Sequence, residues 1–264
     1  MAQSVIPAVR VYPDRESLSR AGAEGFVYFS NKALKHKDSF TVALSGGSTP
    51  RLLYEILASD YIDRVQWEKI HLYWCDERYV PQRDRRSNFR MFHEALLHHV
   101  HIPLGNIHPM PTHRQRAEDA ALDYERYMRA DFPGRWPQID VILLGMGRDG
   151  HTASLFPQSP ALGEKKRWVM AVETTASPTT RLTFTLPVLN AACDVCFLVS
   201  GKDKSQALKQ VLTEPMNPQT CPASAVRPRN GQLIWWVDED AVSEVDESEL
   251  RGFEISRFDE DPNI

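Results

Sequence analysis

The sequence DVILLGMGRDGHTASLFP, residues 140–157, restricts the possible folds of this chain more than any other stretch. It begins with the apolar run 141–144, which is too short to cross a bilayer and is typical of a strand buried in a parallel sheet. Three glycines follow, and glycine allows the backbone to adopt positive φ and to approach a ligand closely. We therefore predict a buried strand, a tight turn and then a helix that Thr152 or Ser154 caps.

Asp149 and His151 stand in the middle of this turn. In open α/β sheets, ligands bind at the carboxyl ends of the strands, where a turn of this kind lies. Histidine is the side chain that most readily exchanges protons near neutral pH, and a carboxylate beside it can orient the imidazole. The pair is therefore a candidate for general acid–base chemistry. A tight turn whose histidine only caps a helix is the alternative.

A similar pattern occurs earlier in the chain. The apolar run 40–44 precedes SGGSTP at 45–50, and a helix is predicted from Leu52 onward. A glycine turn between a strand and a helix presents free backbone N–H groups to a phosphate. The segment lacks the Gly-Lys-Thr of a Walker A loop and the GxGxxG of a dinucleotide fold, so an ordinary strand–helix turn remains open. The candidate phosphate contacts are Ser45, Gly46, Gly47, Ser48 and Thr49.

Polar and charged residues accompany several other predicted elements. Asp76 and Arg78 follow the run 70–74, and Lys204 or Lys202 follows the run 195–199. Because the carboxyl ends of parallel strands meet at one edge of a sheet, we expect Asp76 and Arg78 to lie at the ligand edge, and either lysine could reach an anion there. Asn88 is at a predicted helix start, and Arg181 precedes the alternating segment 182–186. Helices predicted at 12–36 and 114–132, and strands predicted at 222–226 and 233–237, complete the α/β pattern.

The composition fits a globular enzyme of a reducing compartment. The chain has 264 residues, of which 42% are hydrophobic, and this suits one large α/β domain or two small ones. The N-terminus has no basic region followed by an apolar core, so no secretory signal is expected. Four cysteines are too few for a disulfide framework, which favours a cytoplasmic location. His98, His99 and His101 have no nearby cysteine or carboxylate to complete a metal site, so no metal is expected.

The net charge of −4 divides unevenly along the chain. Residues 238–264 contain eleven acidic residues and two arginines, whereas the rest of the chain is mildly cationic. This mildly cationic part of the chain suits a small anionic ligand better than nucleic acid, because a nucleic-acid-binding protein is expected to have a strongly basic surface. No helix-turn-helix pattern precedes it. Neither nucleic acid nor a membrane is therefore expected as a partner.

Several of these segments together resemble the 6-phosphogluconolactonase family. They are SGGSTP at 45–50, DERYVP at 76–81 with Ser87-Asn88, GMGRDGHTASLFP at 145–157, RLTFT beginning at Arg181, and Gly201-x-x-Lys204. SGGSTP is shared with the related glucosamine-6-phosphate deaminases and isomerases. The resemblance implies a doubly wound α/β fold with a mostly parallel sheet and helices on both faces. It also implies hydrolysis of 6-phospho-D-glucono-1,5-lactone to 6-phosphogluconate in the oxidative pentose phosphate pathway, without a cofactor.

Hydrolysis of a lactone needs a base for the water, stabilisation of the tetrahedral oxyanion and a proton for the departing ring oxygen. We assign His151 as the base and then the acid. Asp149 or Asp76 is expected to orient the imidazole or a sugar hydroxyl, and Arg78 to face the oxyanion or the carboxylate product. No GxSxG serine elbow is present, so an acyl-enzyme on serine is not expected.

The phosphate of the substrate is expected among the SGGST turn, Arg181 and Lys204, because arginine suits bidentate phosphate contact and lysine supplies a point charge. Asn88 is a further expected substrate contact. The partner is then a small phosphorylated sugar lactone, bound by a monomer or a small homo-oligomer. One α/β domain is predicted at 1–242, followed by an acidic extension at 243–264 to which the family gives no role.

Three alternative functions share part of this pattern. A sugar-phosphate isomerase or deaminase would have the same fold and phosphate loop. In the deaminases, however, the comparable motif ends in Asn-Glu-Pro, and its glutamate position falls here on Phe156, which cannot exchange a proton. A non-catalytic sugar-phosphate sensor would not need the pair Asp149 and His151. A dehydrogenase is disfavoured because GxGxxG does not follow the first strand.

Overall fold

The computed structural model describes residues 7–250 and 252–258. The described residues form eleven strands, β1 (Ala8–Tyr12), β2 (Phe40–Leu44), β3 (Ile70–Trp74), β4 (Asp76–Arg78), β5 (Ile107–His108), β6 (Val141–Gly145), β7 (Val169–Glu173), β8 (Thr180–Phe184), β9 (Asp194–Val199), β10 (Gln232–Asp238) and β11 (Glu254–Arg257). Their α-helices are α1 (Arg15–Leu34), α2 (Ser48–Asp60), α3 (Asn88–Phe92), α4 (Ala117–Asp131), α5 (Leu186–Leu189), α6 (Ser205–Thr213) and α7 (Glu239–Val242). Helix α3 continues as a π-helical turn, His93–Leu97.

Eight strands form one sheet in the order β11-β1-β10-β9-β6-β2-β3-β5, and every neighbouring pair is parallel. From β2 the chain moves outward to β3 and β5, whereas from β6 it moves the other way to β9 and β10. The direction of winding therefore reverses between β2 and β6. In doubly wound folds a ligand crevice lies at such a reversal, outside the carboxyl ends of the strands. The predicted α/β class with a mostly parallel sheet is confirmed.

The central strands are apolar because the sheet is covered on both sides. Strands β2, β6 and β9 consist almost entirely of buried residues, as expected for parallel strands without a solvent-facing side. Helix α1 packs Phe26 edge-on against Phe40 of β2, with ring centroids 5.7 Å apart. Trp235 of β10 stacks on Phe197 of β9 at 3.9 Å. These contacts pack α1 against β2 and join the side chains of β9 and β10.

The described residues also form a second, antiparallel sheet of three strands in the order β4-β8-β7. It was not predicted, since β4 has only three residues and follows β3 after a single residue, Cys75. The backbone carbonyl of Cys75 accepts a hydrogen bond from the N–H of Phe184, which links the two sheets. Helix α4 packs against β7 and β8. The small sheet carries Arg78 and Arg181 toward the crevice.

Most predicted elements are confirmed, and two are wrong. Strands β2 and β3 have the predicted bounds, but 222–226 is not a strand, because Pro222–Ala225 forms a 3₁₀ helix and proline cannot donate to a strand ladder. No helix follows the glycine turn at residues 145–150 either. Ala153 adopts φ of 47° there, which ends any right-handed helix. The hydroxyl groups of Thr152 and Ser154 donate to Gly145 and Asp76 instead of capping a helix.

Part of the acidic extension belongs to the main sheet. Strand β11 pairs in parallel with β1 at the sheet edge, and Leu250 before it is buried. The predicted domain boundary at residue 242 stays a prediction. Among the residues that the structure describes, no helix has the length and apolarity needed to span a membrane.

Candidate active site

A cavity of about 800 Å³ opens at the carboxyl ends of β2, β6 and β9, where the winding reverses. Every predicted site residue except Asp149 lines it. The lining therefore includes Ser45, Gly46, Gly47, Ser48, Thr49, Asp76, Arg78, Asn88, His151, Arg181 and Lys204. The two predicted turns and the charged strand ends thus meet around one space, which is large enough for a sugar phosphate.

His151 and Asp149 form a hydrogen-bonded pair at one side of the cavity. Nδ1 of His151 lies 2.5 Å from Oδ1 of Asp149, and the backbone N–H of His151 donates to the same oxygen at 3.2 Å. Burial raises the pKa of Asp149, but the hydrogen bond and charge of His151 outweigh it, so the pKa lies below its usual value. An ionised Asp149 keeps the proton on Nδ1 and leaves Nε2 free to accept one.

Gly147 makes room for this pair. A Cβ atom at that position would lie 2.1 Å from both Nδ1 and Cε1 of His151, and 2.6 Å from Oδ1 of Asp149. The N–H of Gly147 donates to the carbonyl oxygen of His151 at 2.9 Å, which closes the turn. Any side chain at residue 147 would therefore push the imidazole away from its carboxylate.

Asp76 serves other partners than His151. Its carboxylate is buried and accepts hydrogen bonds from the Ser154 hydroxyl at 2.7 Å and from the Asn88 amide at 3.2 Å. The sequence leaves open whether Asp149 or Asp76 orients the imidazole. In the structure, Asp149 is the residue that contacts His151. Asp76 fixes Ser154 and Asn88 at the cavity wall instead.

Glu77 supports this wall, although the sequence did not single it out as a site residue. It is 1% exposed, and its carboxylate accepts the backbone N–H groups of Arg78, Asn88 and Phe89 at 2.7–2.8 Å. Burial raises the pKa of Glu77, although these three N–H groups oppose the shift. The side chain of Arg78 then donates to Oδ1 of Asn88. Because Glu77 and its partners at the start of α3 are ten or more residues apart, no local pattern reveals this role.

A further part of the cavity wall, next to Asn88, is rich in hydrogen-bond donors. No side chain caps the start of α2 at Gly47, so the first N–H groups of this 13-residue helix have no partner inside it. A Cβ atom at Gly46 would lie 1.9 Å from Oδ1 of Asn88, so only glycine fits between the turn and Asn88. Within the described residues, the buried hydroxyl of Ser45 and Nε of Arg181 have no hydrogen-bond partner. Both residues line the cavity, so a polar ligand there can supply the missing partner.

Arg181 and Lys204 supply positive charge to this wall. Arg181 is only 7% exposed, and burial together with the neighbouring charge of Arg78 lowers its pKa. Lys204 lines the cavity, and its Nζ lies 3.0 Å from Oδ2 of Asp203. Lys202, the other lysine considered from the sequence, does not line it. Arg181 and Lys204 therefore both line a cavity that has room for an anion.

The turn that carries Lys204 depends on Asp238, which the sequence did not single out. The carboxylate of Asp238 accepts the N–H of Gly201 at 3.0 Å and the hydroxyl of Ser200 at 2.5 Å. Since Asp238 lies at the end of the neighbouring strand β10, the link becomes visible only once the strand order is known. Among the described residues, no group of three or more His, Cys, Asp or Glu side chains could hold a metal ion.

Comparison with known proteins gives consistent similarities. The family model described as glucosamine-6-phosphate isomerases/6-phosphogluconolactonase matches residues 13–235. The 6-phosphogluconolactonase of Synechocystis sp. is 45% identical over 213 residues, covering 80% of this chain and 86% of that protein. The Nostoc sp. 6-phosphogluconolactonase is 40% identical over 240 residues, covering 90% and 98%. The crystal structure of 6-phosphogluconolactonase from Thermotoga maritima superposes with a TM-score of 0.76 at 33% identity, covering 88% of this chain and all of that one.

Proposed function

The chain belongs to the glucosamine-6-phosphate isomerase/6-phosphogluconolactonase family, and from this premise we propose how its site performs the reaction named for its relatives. The protein is a lactone hydrolase of the pentose phosphate pathway, which converts 6-phosphogluconolactone to 6-phosphogluconate. The observation that carries the mechanism is the His151–Asp149 pair beside a donor-rich cavity wall.

In the first step, Nε2 of His151 removes a proton from a water molecule as the water oxygen attacks C1 of the lactone. Asp149 holds Nδ1 and stabilises the imidazolium that forms. Negative charge moves onto the carbonyl oxygen, where Arg78 and the backbone N–H groups near Gly46 and Gly47 stabilise it. Proton transfer of this kind contributes about 10²–10⁴-fold to a rate.

In the second step, the tetrahedral intermediate collapses. The bond between C1 and the ring oxygen breaks, and His151 returns its proton to that oxygen, which becomes the C5 hydroxyl of the product. C1 becomes a carboxylic acid, which ionises at neutral pH. One histidine therefore acts first as base and then as acid, and the reaction consumes only water and no cofactor.

The phosphate lies among Arg181, Lys204 and the N-terminus of α2. Arg181 supports this position because its guanidinium is buried and Nε lacks a partner among the described residues. The helix N-terminus adds uncapped N–H groups and a partial positive charge. Asn88 lies between this wall and Arg78 and is a further contact for the sugar. The enzyme acts in the cytoplasm, a reducing compartment in which its four unpaired cysteines remain reduced. It acts there as a monomer or a small homo-oligomer.

The test is a rate measurement with freshly made 6-phosphogluconolactone. Hydrolysis is followed by the oxidation of 6-phosphogluconate in a coupled spectrophotometric assay, with spontaneous hydrolysis subtracted. We expect rapid enzymatic turnover, and a much lower kcat/KM for gluconolactone without the phosphate. Absence of any acceleration with the phosphorylated lactone would refute the proposal.

A further inference from the structure

Phe156 lies against the imidazole of His151. The two ring centroids are 4.4 Å apart, and the ring planes are inclined by 35°. Both side chains line the cavity, and Phe156 is partly buried. Aromatic rings at this separation are in direct contact. The phenylalanine is therefore part of the immediate surroundings of the proposed base.

His151 is confined from three directions. Asp149 holds Nδ1 through a single short hydrogen bond. Gly147 lies so close to Nδ1 and Cε1 that a Cβ atom there would overlap with them. The ring of Phe156 bounds a further side. A hydrogen bond at one atom fixes that atom but still allows the imidazole to tilt about it, so the contact with Phe156 limits this tilt.

The backbone around Phe156 is itself firmly held. The N–H of Leu155 donates to the carbonyl of Thr152 at 2.9 Å, and the N–H of Ser159 donates to the carbonyl of Phe156 at 3.1 Å. On the same segment, the N–H of Ser154 donates to the hydroxyl of Thr183 in the small sheet. A rigid ring on an anchored backbone can fix the orientation of its neighbour.

We propose that Phe156 is a positioning residue, which sets the plane of the His151 imidazole and thereby aims Nε2 at the attacking water. This inference rests on the proposed function of His151 as the base. A displacement of about 1 Å in a reacting group can cost about 10²-fold in rate.

The experiment compares three variants by steady-state kinetics on 6-phosphogluconolactone. In Phe156→Ala, kcat should fall by about 10- to 100-fold, while KM changes by less than about threefold, because the phosphate contacts lie elsewhere. In Phe156→Tyr, which keeps the ring, kcat should stay within about threefold of the original value. The matched control is Leu162→Ala, which removes a buried apolar side chain from the 3₁₀ helix Pro160–Gly163 outside the cavity, and its kcat should be unchanged.

A kcat for Phe156→Ala equal to that of Leu162→Ala would overturn the inference. So would an equal loss in Phe156→Tyr and Phe156→Ala, since the ring itself would then be irrelevant. If Phe156→Ala does not fold, Phe156→Leu takes its place, with a reduced kcat expected and an unchanged one contradicting the inference. Activity in the unaltered enzyme and its loss in His151→Ala test the proposed function separately.

Discussion

Arg78 and Arg181 lie directly opposite each other in the antiparallel register of β4 and β8. Like charges at directly opposed positions destabilise a sheet, and Arg181 is buried as well. Burial and the charge of Arg78 both lower the pKa of Arg181, whereas the charges of Asp76 and Glu77 oppose the shift. Both arginines line the cavity, and an anionic ligand there would offset the repulsion between them. The pairing of β4 with β8 therefore favours an anion in the cavity.

The first prediction concerns this anion site. Arg181→Ala and Lys204→Ala should each raise KM for the phosphorylated lactone by about ten- to a hundredfold, because a charged hydrogen bond is worth about 1.5–3 kcal/mol. The effect on kcat should be smaller, since the phosphate is remote from C1, although remote binding energy also assists the transition state. Initial-rate kinetics measure both constants. Lys202→Ala is the control, and an unchanged KM in both test variants would exclude these residues from phosphate binding.

The second prediction concerns Asp149. Asp149→Asn preserves the size of the side chain but removes the charge that stabilises the imidazolium and fixes the proton on Nδ1. We expect kcat to fall by about 10²–10⁴-fold, approaching the loss in His151→Ala. The double variant should be no worse than His151→Ala, because residues that act as one unit lose activity together. A near-normal kcat in folded Asp149→Asn would show that the imidazole needs no carboxylate.

The sequence predicted which residues line the cavity better than it predicted the contacts that hold them in place. Strands β2 and β3 are compact apolar runs between clear turn signals, and the residues after them could be assigned to one sheet edge. The opposition of Arg78 and Arg181 could not be found, because it depends on the pairing of β4 with β8 across a hundred residues of chain. The charge-rich sequence around β11 is typical of a solvated tail, and only its position beside β1 makes it a strand.

The third prediction concerns stability at low pH and rests on His108 in β5. Its Nε2 lies 3.1 Å from Nδ1 of His71, and its Nδ1 lies 2.5 Å from the hydroxyl of Tyr127. Burial lowers the pKa of His108 to about 4, with His71 adding to the shift and Asp131 opposing it. The unfolded chain therefore binds this proton more readily than the folded one. The stabilisation is complete above about pH 6.5 and declines by up to about 3 kcal/mol as the pH falls to about 4.

Urea unfolding at about pH 7.5 and about pH 5 tests this expectation. His108→Gln should be less stable than the original protein at the higher pH, because its contacts with His71 and Tyr127 are changed. Its free energy of unfolding should nevertheless decline less between the two pH values. His36→Gln, at an exposed position, is the control and should retain the original pH dependence. An equal decline in the free energy of unfolding between the two pH values in all three proteins would contradict the role of His108.

The fourth prediction concerns the acidic extension. Truncation after Ser243 removes β11, which pairs with β1, and the buried side chain of Leu250. It also removes Phe258, whose ring centroid lies 6.0 Å from that of Tyr12. Tm should therefore fall. Among the described residues after Ser243, however, none lines the cavity, and surface charge acts over only about 8–10 Å in physiological salt. Well below Tm, kcat/KM should stay close to the full-length value, and a large loss in a folded truncated protein would show that the extension contributes to the site.

The last prediction separates lactone hydrolysis from the chemistry of the amino-sugar phosphate deaminases. The motif comparison made from the sequence puts the glutamate of those enzymes at the position of Phe156, and this glutamate is expected to act with the histidine in opening the sugar ring. Here the side chain in contact with His151 at that position is an aromatic ring, which cannot transfer a proton. Ring opening and aldose–ketose isomerisation need proton transfers at more than one atom, whereas a lactone can be hydrolysed with one shuttling base.

Pure protein should therefore release no ammonia from glucosamine 6-phosphate and should not isomerise ribose 5-phosphate, while the same preparation hydrolyses the lactone. Ammonia or ketose formation at rates comparable to lactone hydrolysis would mean that another group supplies the second proton transfer and that the site works as an isomerase.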